Sequence, residues 1–379
     1  MSGQEYSAES IVVLEGLEAV RRRPGMYVGD TYDGSGLHHL VWEVVGNVID
    51  LHLAGKACSL SVHIGDGQVE VLDDGPGFPV GRHPRLEEDV LDIIFTRLHA
   101  GATFDGHFPH VHIGPQLHGV GLAAVNALSE ELEVETRRRG RVYRQRYRRG
   151  QPQGAVTEVG RTTTTGTRIR FRPDPSIFHS VAFDVNRLHG RLHELAYFNP
   201  SLTVRFAHAE GRACFRERDG LMAMVWQRVA QRGGEPDHRI WRASRLHDGA
   251  QVDIALTWLG RGPSDLRSFV GQAPTPDGGT HVAGFWRGLS LGLSALGAPA
   301  VGERVLPELL SPGLIAVVHV GLDHDPTYGS PTKDRLCSPR AQAAVEAVLA
   351  EGLTHWCRRH PPLLEALRQR SSGPSRPPR

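Results

Sequence analysis

The stretch HHLVWEVVGNVID (His38–Asp50) carries two stripes at once. Leu37, Leu40, Val41, Val44, Val48 and Leu51 recur at helical spacing, which predicts an amphipathic helix. His39, Glu43, Asn47 and Asp50 fall at steps of four, four and three, so they share a polar stripe on that helix. Two stretches downstream complete the reading. VLDDGPGFP (Val71–Pro79) reads as a strand ending in paired carboxylates and a glycine turn. QLHGVG (Gln116–Gly121) reads as a glycine-rich loop opening the next helix. Together they offer a general base, an amide oxygen for a hard cation, an acceptor for a base edge and backbone N–H groups for an anion. Those are the parts a nucleotide site needs.

Outward from this centre, SIVVLEGLEAVRRR predicts a helix stopped by Pro24-Gly25, preceded by an arm. CSLSVHIGDGQVEVLDDG alternates as a hairpin turned at Asp66-Gly67. EEDVLDIIFTRLHAG predicts a helix ending at Gly101, residues 102–116 a loop without period, and HGVGLAAVNALS a further helix. ELEVETRRR and RVYRQRYRR form a second hairpin around Gly140, and TGTRIRFRP adds a strand. The chain changes character near Asp219-Gly220, giving expected domains over 1–219 and 220–368, with a disordered polar tail over 369–379. The second domain carries strands at QVDIALTWL and GLIAVVHVGL and helices over 281–296 and 340–358.

Composition narrows the function. The 379 residues carry 43 basic and 42 acidic side chains, so no global field draws the chain to nucleic acid or to a membrane. Four scattered cysteines, Cys58, Cys214, Cys337 and Cys357, form no CxxC pair, which argues against zinc and disulfides and fits a cytoplasmic protein. No apolar run approaches the roughly 18 residues of a membrane span. Lysine occurs only at Lys56 and Lys333, leaving 41 of the 43 basic residues as arginine. Against that bias Lys333 reads as a site that wants a compact ammonium, and Lys56 as ordinary surface.

The chain resembles the ATPase half of the gyrase B (type IIA topoisomerase B subunit) family within the GHKL ATPases. The resemblance rests on the three stretches above, on YSAESIVVLEGLEAVRRRPGMYVGDT (Tyr6–Thr31), on DGGTHVAGF (Asp277–Phe285) and on PTKDRL (Pro331–Leu336). It implies an α+β protein: a GHKL α/β sandwich followed by a ribosomal-S5-like transducer domain. It also implies Mg²⁺-dependent ATP binding and hydrolysis, with a homodimer forming on nucleotide. Glu43 is then the base that polarises the attacking water, His39 its orienting partner, and Lys333 the γ-phosphate sensor. Asn47 becomes the Mg²⁺ ligand. Asp50, Gly75, Gly77, Phe78 and Pro79 line the pocket, Asp73 with Thr167 reads the adenine amine, and Arg144 stands at the pocket mouth. Gly101 is the lid hinge, and Leu117, His118, Gly119, Val120 and Gly121 are its phosphate-binding end. Tyr6 and Ile11 belong to a dimerisation arm. The family's DNA-cleavage domain has no counterpart in this stretch, so the resemblance implies no DNA cleavage by this chain alone.

Departures cluster at the rim. Gly46 and Leu51 stand where the family has acids, Pro76 where it has the arginine that pairs with the acid missing at Leu51, and Pro331 where it has glutamine. Losing both members of the pair is coherent, because losing one would strand a partly buried charge. The arginines from Arg137 to Arg149 fit a phosphate-backbone patch and a solvated strand face equally, leaving DNA contact open. Three functions follow as alternatives: an ATP-driven dimerising ATPase, a non-turnover protein that modulates a topoisomerase or confers resistance, and an enzyme using ATP on a small-molecule second substrate.

Overall fold

The computed structural model describes Leu14 and residues 16–100, 120–235, 239–260, 262–297, 306–323, 326–330 and 333–371. They divide into two compact units. One runs to Leu192 and adds Leu202–Phe215; the other takes His193–Ser201 and continues from Arg216.

The first unit is a nine-stranded sheet. Its strands are β1 (Ser59–Gly65), β2 (Gln68–Asp73), β3 (Ser129–Arg138), β4 (Arg141–Arg148), β5 (Gln151–Pro152), β6 (Thr157–Arg161), β7 (Gly166–Pro173), β8 (Thr203–His208) and β9 (Gly211–Phe215). They run in the order β5-β4-β3-β7-β2-β1-β8-β9, with β6 on β4; only β1 and β8 pair in parallel. Two-residue loops at Asp66-Gly67 and Arg139-Gly140, both residues at positive φ, turn the two expected hairpins. The helices are α1 (Leu17–Arg22), α2 (Gly25–Val28), α3 (Ser35–Leu53), α4 (Val90–Thr96), α5 (Gly121–Ala127) and α6 (Val185–Phe198). Helix α3 packs on β2, and α5 on β3, α3 and α4.

Helix α1 stops at Arg22, ahead of Pro24-Gly25 as expected, and Pro24 then caps the one-turn α2, since a proline is tolerated where no intrahelical N–H is needed. Helix α4 covers only Val90–Thr96, because Glu87 takes a left-handed φ before it and Arg97 is extended after it. Helix α3 is buried on most sides from Gly36 to Ile49: His39 and Glu43 of its polar stripe are buried, and Asn47 and Asp50 are half-buried.

The second unit has five strands, β10 (Trp241–His247), β11 (Ala250–Trp258), β12 (Asp265–Val270), β13 (Ala273–Pro274) and β14 (Leu314–Leu322), ordered β10-β11-β14-β12-β13. Its helices are α7 (Leu221–Gln231), α8 (Thr280–Ser294), α9 (Leu306–Leu310), α10 (Pro339–Arg359) and α11 (Pro361–Ser371). Helices α8 and α10 cover one sheet face around Trp258, Phe285 and Leu349; α7 and the end of α6 cover the other around Tyr197, Val225 and Ile315. Burial on both faces explains why LIAVVHVGL is apolar without alternation. The tail expected over 369–379 begins helical, as α11 runs to Ser371 from a Pro361-Pro362 start and buries Leu367. Residues 372–379 lie outside the described residues. Among the described residues no helix is long and apolar enough to cross a membrane.

Candidate nucleotide site

Consecutive histidines on α3 do different work. His38 donates from Nδ1 to the Gly34 carbonyl (2.7 Å) and accepts at Nε2 the Asp184 N–H (2.9 Å). That arrangement needs the neutral ring, and burial pushes its pKa down. His39 instead places Nε2 2.8 Å from Glu43 Oε1, with both side chains buried. The ring meets the carboxylate off its N–H axis, leaving Nε2 without an aligned hydrogen bond among the described residues. One turn further, the Asn47 amide nitrogen donates back to the Glu43 carbonyl at 2.7 Å. Its amide group is thereby pinned, and Oδ1 is the end left to bind something else.

Gly121 closes on Glu43 from the opposite side. A Cβ there would lie 2.0 Å from Glu43 Oε2, so no side chain fits between the start of α5 and the carboxylate. The helix start and the candidate base therefore touch through backbone alone, which is the close approach a glycine permits. Val120, the residue before α5, is buried.

The paired carboxylates of β2 separate. Asp74 Oδ1 accepts the N–H groups of Cys58 (2.8 Å) and Ser59 (2.9 Å) and ties the turn to the start of β1. Asp73 points to the helix side of the sheet, where its Oδ1 accepts the N–H groups of Gly75 (2.8 Å) and Thr167 (3.2 Å). Burial outweighs these hydrogen bonds and raises the Asp73 carboxyl to about 6. Thr167 comes within reach because Gly166, at φ 142°, lies against the Asp73 backbone, where a Cβ would meet the carbonyl at 2.2 Å. The turn continues through exposed Pro76, Gly77, half-buried Phe78 and exposed Pro79. Phe78 stacks edge-on against Phe95, with centroids 5.7 Å apart, and its carbonyl accepts the Thr136 hydroxyl at 3.3 Å. Leu51 lies beneath the turn, 2.9 Å from where a Gly75 Cβ would be. Asp50 is half-buried at the same helix end.

The structure corrects the mouth residue. Arg144 projects to the opposite face of the sheet, where Nη2 meets Glu135 Oε2 at 3.2 Å and Nε meets Glu133 Oε2 at 3.7 Å. It sits across from Glu135 in the hairpin register, one residue out of step with the inward-facing Gln145 and Tyr147. The arginine beside the turn is Arg138, whose Nη1 donates to the Gly77 carbonyl at 2.8 Å. Period-two counting along β3 carries the signal: Leu132, Val134 and Thr136 are inward, so Arg138 follows them. Thr136 was missed for the same reason. Lys333, in the second unit, is held at φ 61° with its ammonium 5.7 Å from the Tyr328 ring centroid. Tyr6, Ile11, Gly101, Leu117, His118, Gly119 and Pro331 lie outside the described residues.

The residues present suit a nucleotide with a hard cation. A buried base, a pinned amide oxygen one turn away, and a carboxylate at a strand end line one side of the sheet. A cation shared with phosphates needs only one such protein oxygen, and among the described residues no cluster of three His, Cys, Asp or Glu side chains forms a dedicated cage.

Comparison with known proteins agrees with this geometry. Residues 32–177 match the family model described as histidine kinase-, DNA gyrase B- and HSP90-like ATPase, and residues 225–373 the model described as DNA gyrase B. The chain is 38% identical over 380 residues to the DNA gyrase B protein of Caulobacter vibrioides, covering 94% of this chain and 46% of the relative. It is also 38% identical to the Thermotoga maritima counterpart, covering 96% of this chain and 59% of the relative. It thus spans about half the length of the curated relatives it matches. Among solved structures, the 43K ATPase domain of Thermus thermophilus gyrase B in complex with an aminocoumarin superposes with TM-score 0.78 at 29% identity, covering 94% and 93% of the two chains. The Myxococcus xanthus gyrase B protein gives TM-score 0.76 at 28% identity, covering 93% and 99%.

Proposed function

Since the chain belongs to the gyrase B family of GHKL ATPases, we propose that it binds ATP with Mg²⁺ in the first unit and hydrolyses it. The observation that carries this reading is the contact of Gly121 with Glu43. It brings the backbone at the start of α5 directly beside a buried carboxylate, which supports those N–H groups as the ones that receive a phosphate. Glu43 takes the proton of the attacking water, and His39 fixes the orientation of its carboxylate. Asn47 Oδ1 would hold Mg²⁺, which when bound neutralises phosphate charge. Asp73 accepts the adenine amine with Thr167 beside it, and Lys333 senses the γ-phosphate. Steady-state hydrolysis tests the reading: Glu43→Ala should lower kcat by about 10²–10⁴-fold while calorimetric ATP affinity stays near wild type. Wild-type turnover in that variant would overturn it.

The family's ATP-driven dimer extends the proposal. Tyr6 and Ile11 belong to the arm that would cross to a second copy of the chain. Light scattering with a non-hydrolysable analogue should show a doubled mass for the full chain and less for a chain starting at Val12. An unchanged mass for the full chain would remove the dimer without touching the ATPase.

A further inference from the structure

In the second unit the ring of His319, on β14, meets an oxygen at each nitrogen. Nδ1 lies 3.0 Å from Asp253 Oδ2 on β11, and Nε2 lies 2.8 Å from the Gly271 carbonyl in the β12–β13 turn. A carbonyl only accepts. Burial pushes the Asp253 carboxyl up, but hydrogen bonding and charge from His319, with Ser244 and Gln251, outweigh it and hold the group below its usual range. It is therefore ionised and also only accepts. Two such acceptors are both served only by the doubly protonated ring. We propose that His319 is a positioning residue: its imidazolium fixes the β12–β13 turn and, through it, the segment carrying Lys333, so that ATP turnover declines when the ring loses its proton.

The turn is joined to that segment step by step. Gly271 donates its N–H to the Val320 carbonyl at 2.8 Å, and Gln272 Oε1 accepts the buried Asn199 amide at 3.0 Å. The chain then passes Thr275, whose carbonyl accepts the Ser268 hydroxyl at 2.8 Å, and reaches Asp277. From there it is stitched to the Lys333 segment. Asp277 donates its N–H to the Asp334 carbonyl (3.0 Å), Leu336 to Gly278 (3.0 Å) and Thr280 to Leu336 (2.9 Å). A Cβ on Gly279 would meet the Leu336 carbonyl at 2.1 Å, so the two stretches touch through backbone alone. Lys333 itself is held at φ 61°, a conformation that persists only where the surroundings impose it.

The surroundings of His319 favour the cation. Phe198 stacks on the ring with centroids 5.1 Å apart. On this sheet face and the helices covering it, the other described charges pair among themselves: Arg267 with Glu194, Arg228 and Arg232 with Asp265, and His193 with Glu217. Exposed Arg242 lies two strands away, and burial raises the Tyr197 phenol and keeps it neutral. His281, bonded to Thr275, is neutral because burial and then the His319 charge lower it to about 4. Asp253 is thus the carboxylate that answers His319. A neutral ring must turn a lone pair toward either the carboxylate or the carbonyl, and one contact is lost. Only the effect on turnover rests on the proposed role of Lys333.

The test uses the full chain and varies pH. Ring nitrogen-15 resonances give the titration of His319. On its acid side both ring N–H protons should be observable, shielded from exchange with water; the absence of either overturns the proposal. As the ring deprotonates, hydrogen-exchange protection of the Thr280 and Leu336 amides, corrected for intrinsic pH dependence, should fall by about tenfold. The kcat for ATP should fall along the same curve, with KM changing less. His319→Gln should show the low values throughout, and Arg245→Ala, an exposed arginine of the same sheet, should keep the wild-type profile. Asp253→Asn serves if His319→Gln fails to fold: without the carboxylate charge the ring titration and the decline in kcat should move together to lower pH. Unchanged protection in His319→Gln, or a kcat profile that does not follow the ring in wild type or in Asp253→Asn, overturns the positioning role. If the wild-type chain does not hydrolyse ATP, the nucleotide reading fails, while the ring protons and amide protection still decide whether His319 holds the segment.

Discussion

The two faces of the nine-stranded sheet treat carboxylates in opposite ways. On the helix side burial outweighs the hydrogen bonds from Gly75 and Thr167 and raises the Asp73 carboxyl to about 6. On the other side Glu70, Glu133 and Glu135 interleave with Arg144, Arg146, Arg168 and Arg170 across four strands. Arg168 Nη2 lies 2.8 Å from Glu135 Oε2, and Arg146 Nε lies 2.8 Å from Glu133 Oε2. Burial pushes Glu135 up as well, but Arg144, Arg168 and Arg137 together outweigh it and hold the carboxyl below its usual range. A matched carboxylate stabilises the sheet, whereas an unmatched one holds an acceptor ready at a cost to stability. The difference separates the ligand face from the scaffold face within a single sheet.

The hardest test of the ligand face is Gly121→Ala. The new Cβ would fall on Glu43 Oε2 and must displace either the base or the start of α5. Turnover should drop by about 10²-fold or more, since a displacement near 1 Å is enough for that. A variant with wild-type kcat and a folded near-ultraviolet spectrum would separate Glu43 from the chemistry.

Asp73→Asn comes next and should move stability and affinity in opposite directions. Its raised pKa means that the folded protein favours the neutral acid. The associated stability is present below pH 4 and is lost as pH rises toward about 6. Asparagine stays neutral, so the ligand-free variant should gain up to about 3 kcal/mol at pH 7–8. Its ATP affinity should fall by about 1–3 kcal/mol, because an amide N–H would replace the oxygen offered to the adenine amine. Wild-type affinity should decline below about pH 6 as Asp73 protonates, and the variant should lack that decline. Denaturant melts and calorimetry across pH 5–8 decide both; parallel losses of stability and affinity would contradict the unmatched-carboxylate account.

A third test imports the scaffold face's pairing rule into the mouth. Leu51→Glu alone should cost about 1–3 kcal/mol by placing an unpaired charge beneath Gly75. Leu51→Glu/Pro76→Arg should recover most of that. If the double variant is as unstable as the single, the mouth no longer has room for the pair.

Much of this arrangement was legible in the sequence where one periodicity was enough. The α3 stripe of His39, Glu43 and Asn47, the hairpin turned at Asp66-Gly67 and the DDG strand end all follow from local spacing and turn chemistry. What the sequence hid depended on register. Arg144 and Arg138 are both arginines in one dense run, and only the pairing of Glu135 with Arg144 places them on opposite faces. The burial of His39 and Glu43 was likewise hidden, because a polar stripe by itself does not show that α5 packs against it. Helix α11 was missed because proline and serine flank a segment held by tertiary contacts, with Leu367 buried, Leu364 packed on the same core and Arg368 donating to the Leu296 carbonyl.

The smallest effect should come from the scaffold face, and its smallness is what makes it informative. Arg144 is partly exposed and shares Glu135 with Arg137 and Arg168, so its removal leaves the carboxylate with two partners. Partly exposed ion pairs are screened by water and salt, so Arg144→Ala should destabilise by no more than about 1 kcal/mol, and less in high salt. ATP affinity should be unchanged, because the side chain lies on the face away from Asp73. Arg138→Ala, six residues earlier in the chain and on the inward face, should perturb the Pro76–Gly77 turn it holds and reduce ATP affinity measurably. Paired calorimetry of the two variants reads the sheet's polarity directly. A loss of affinity in Arg144→Ala equal to that in Arg138→Ala would mean that nucleotide binding is sensed through both faces of the sheet.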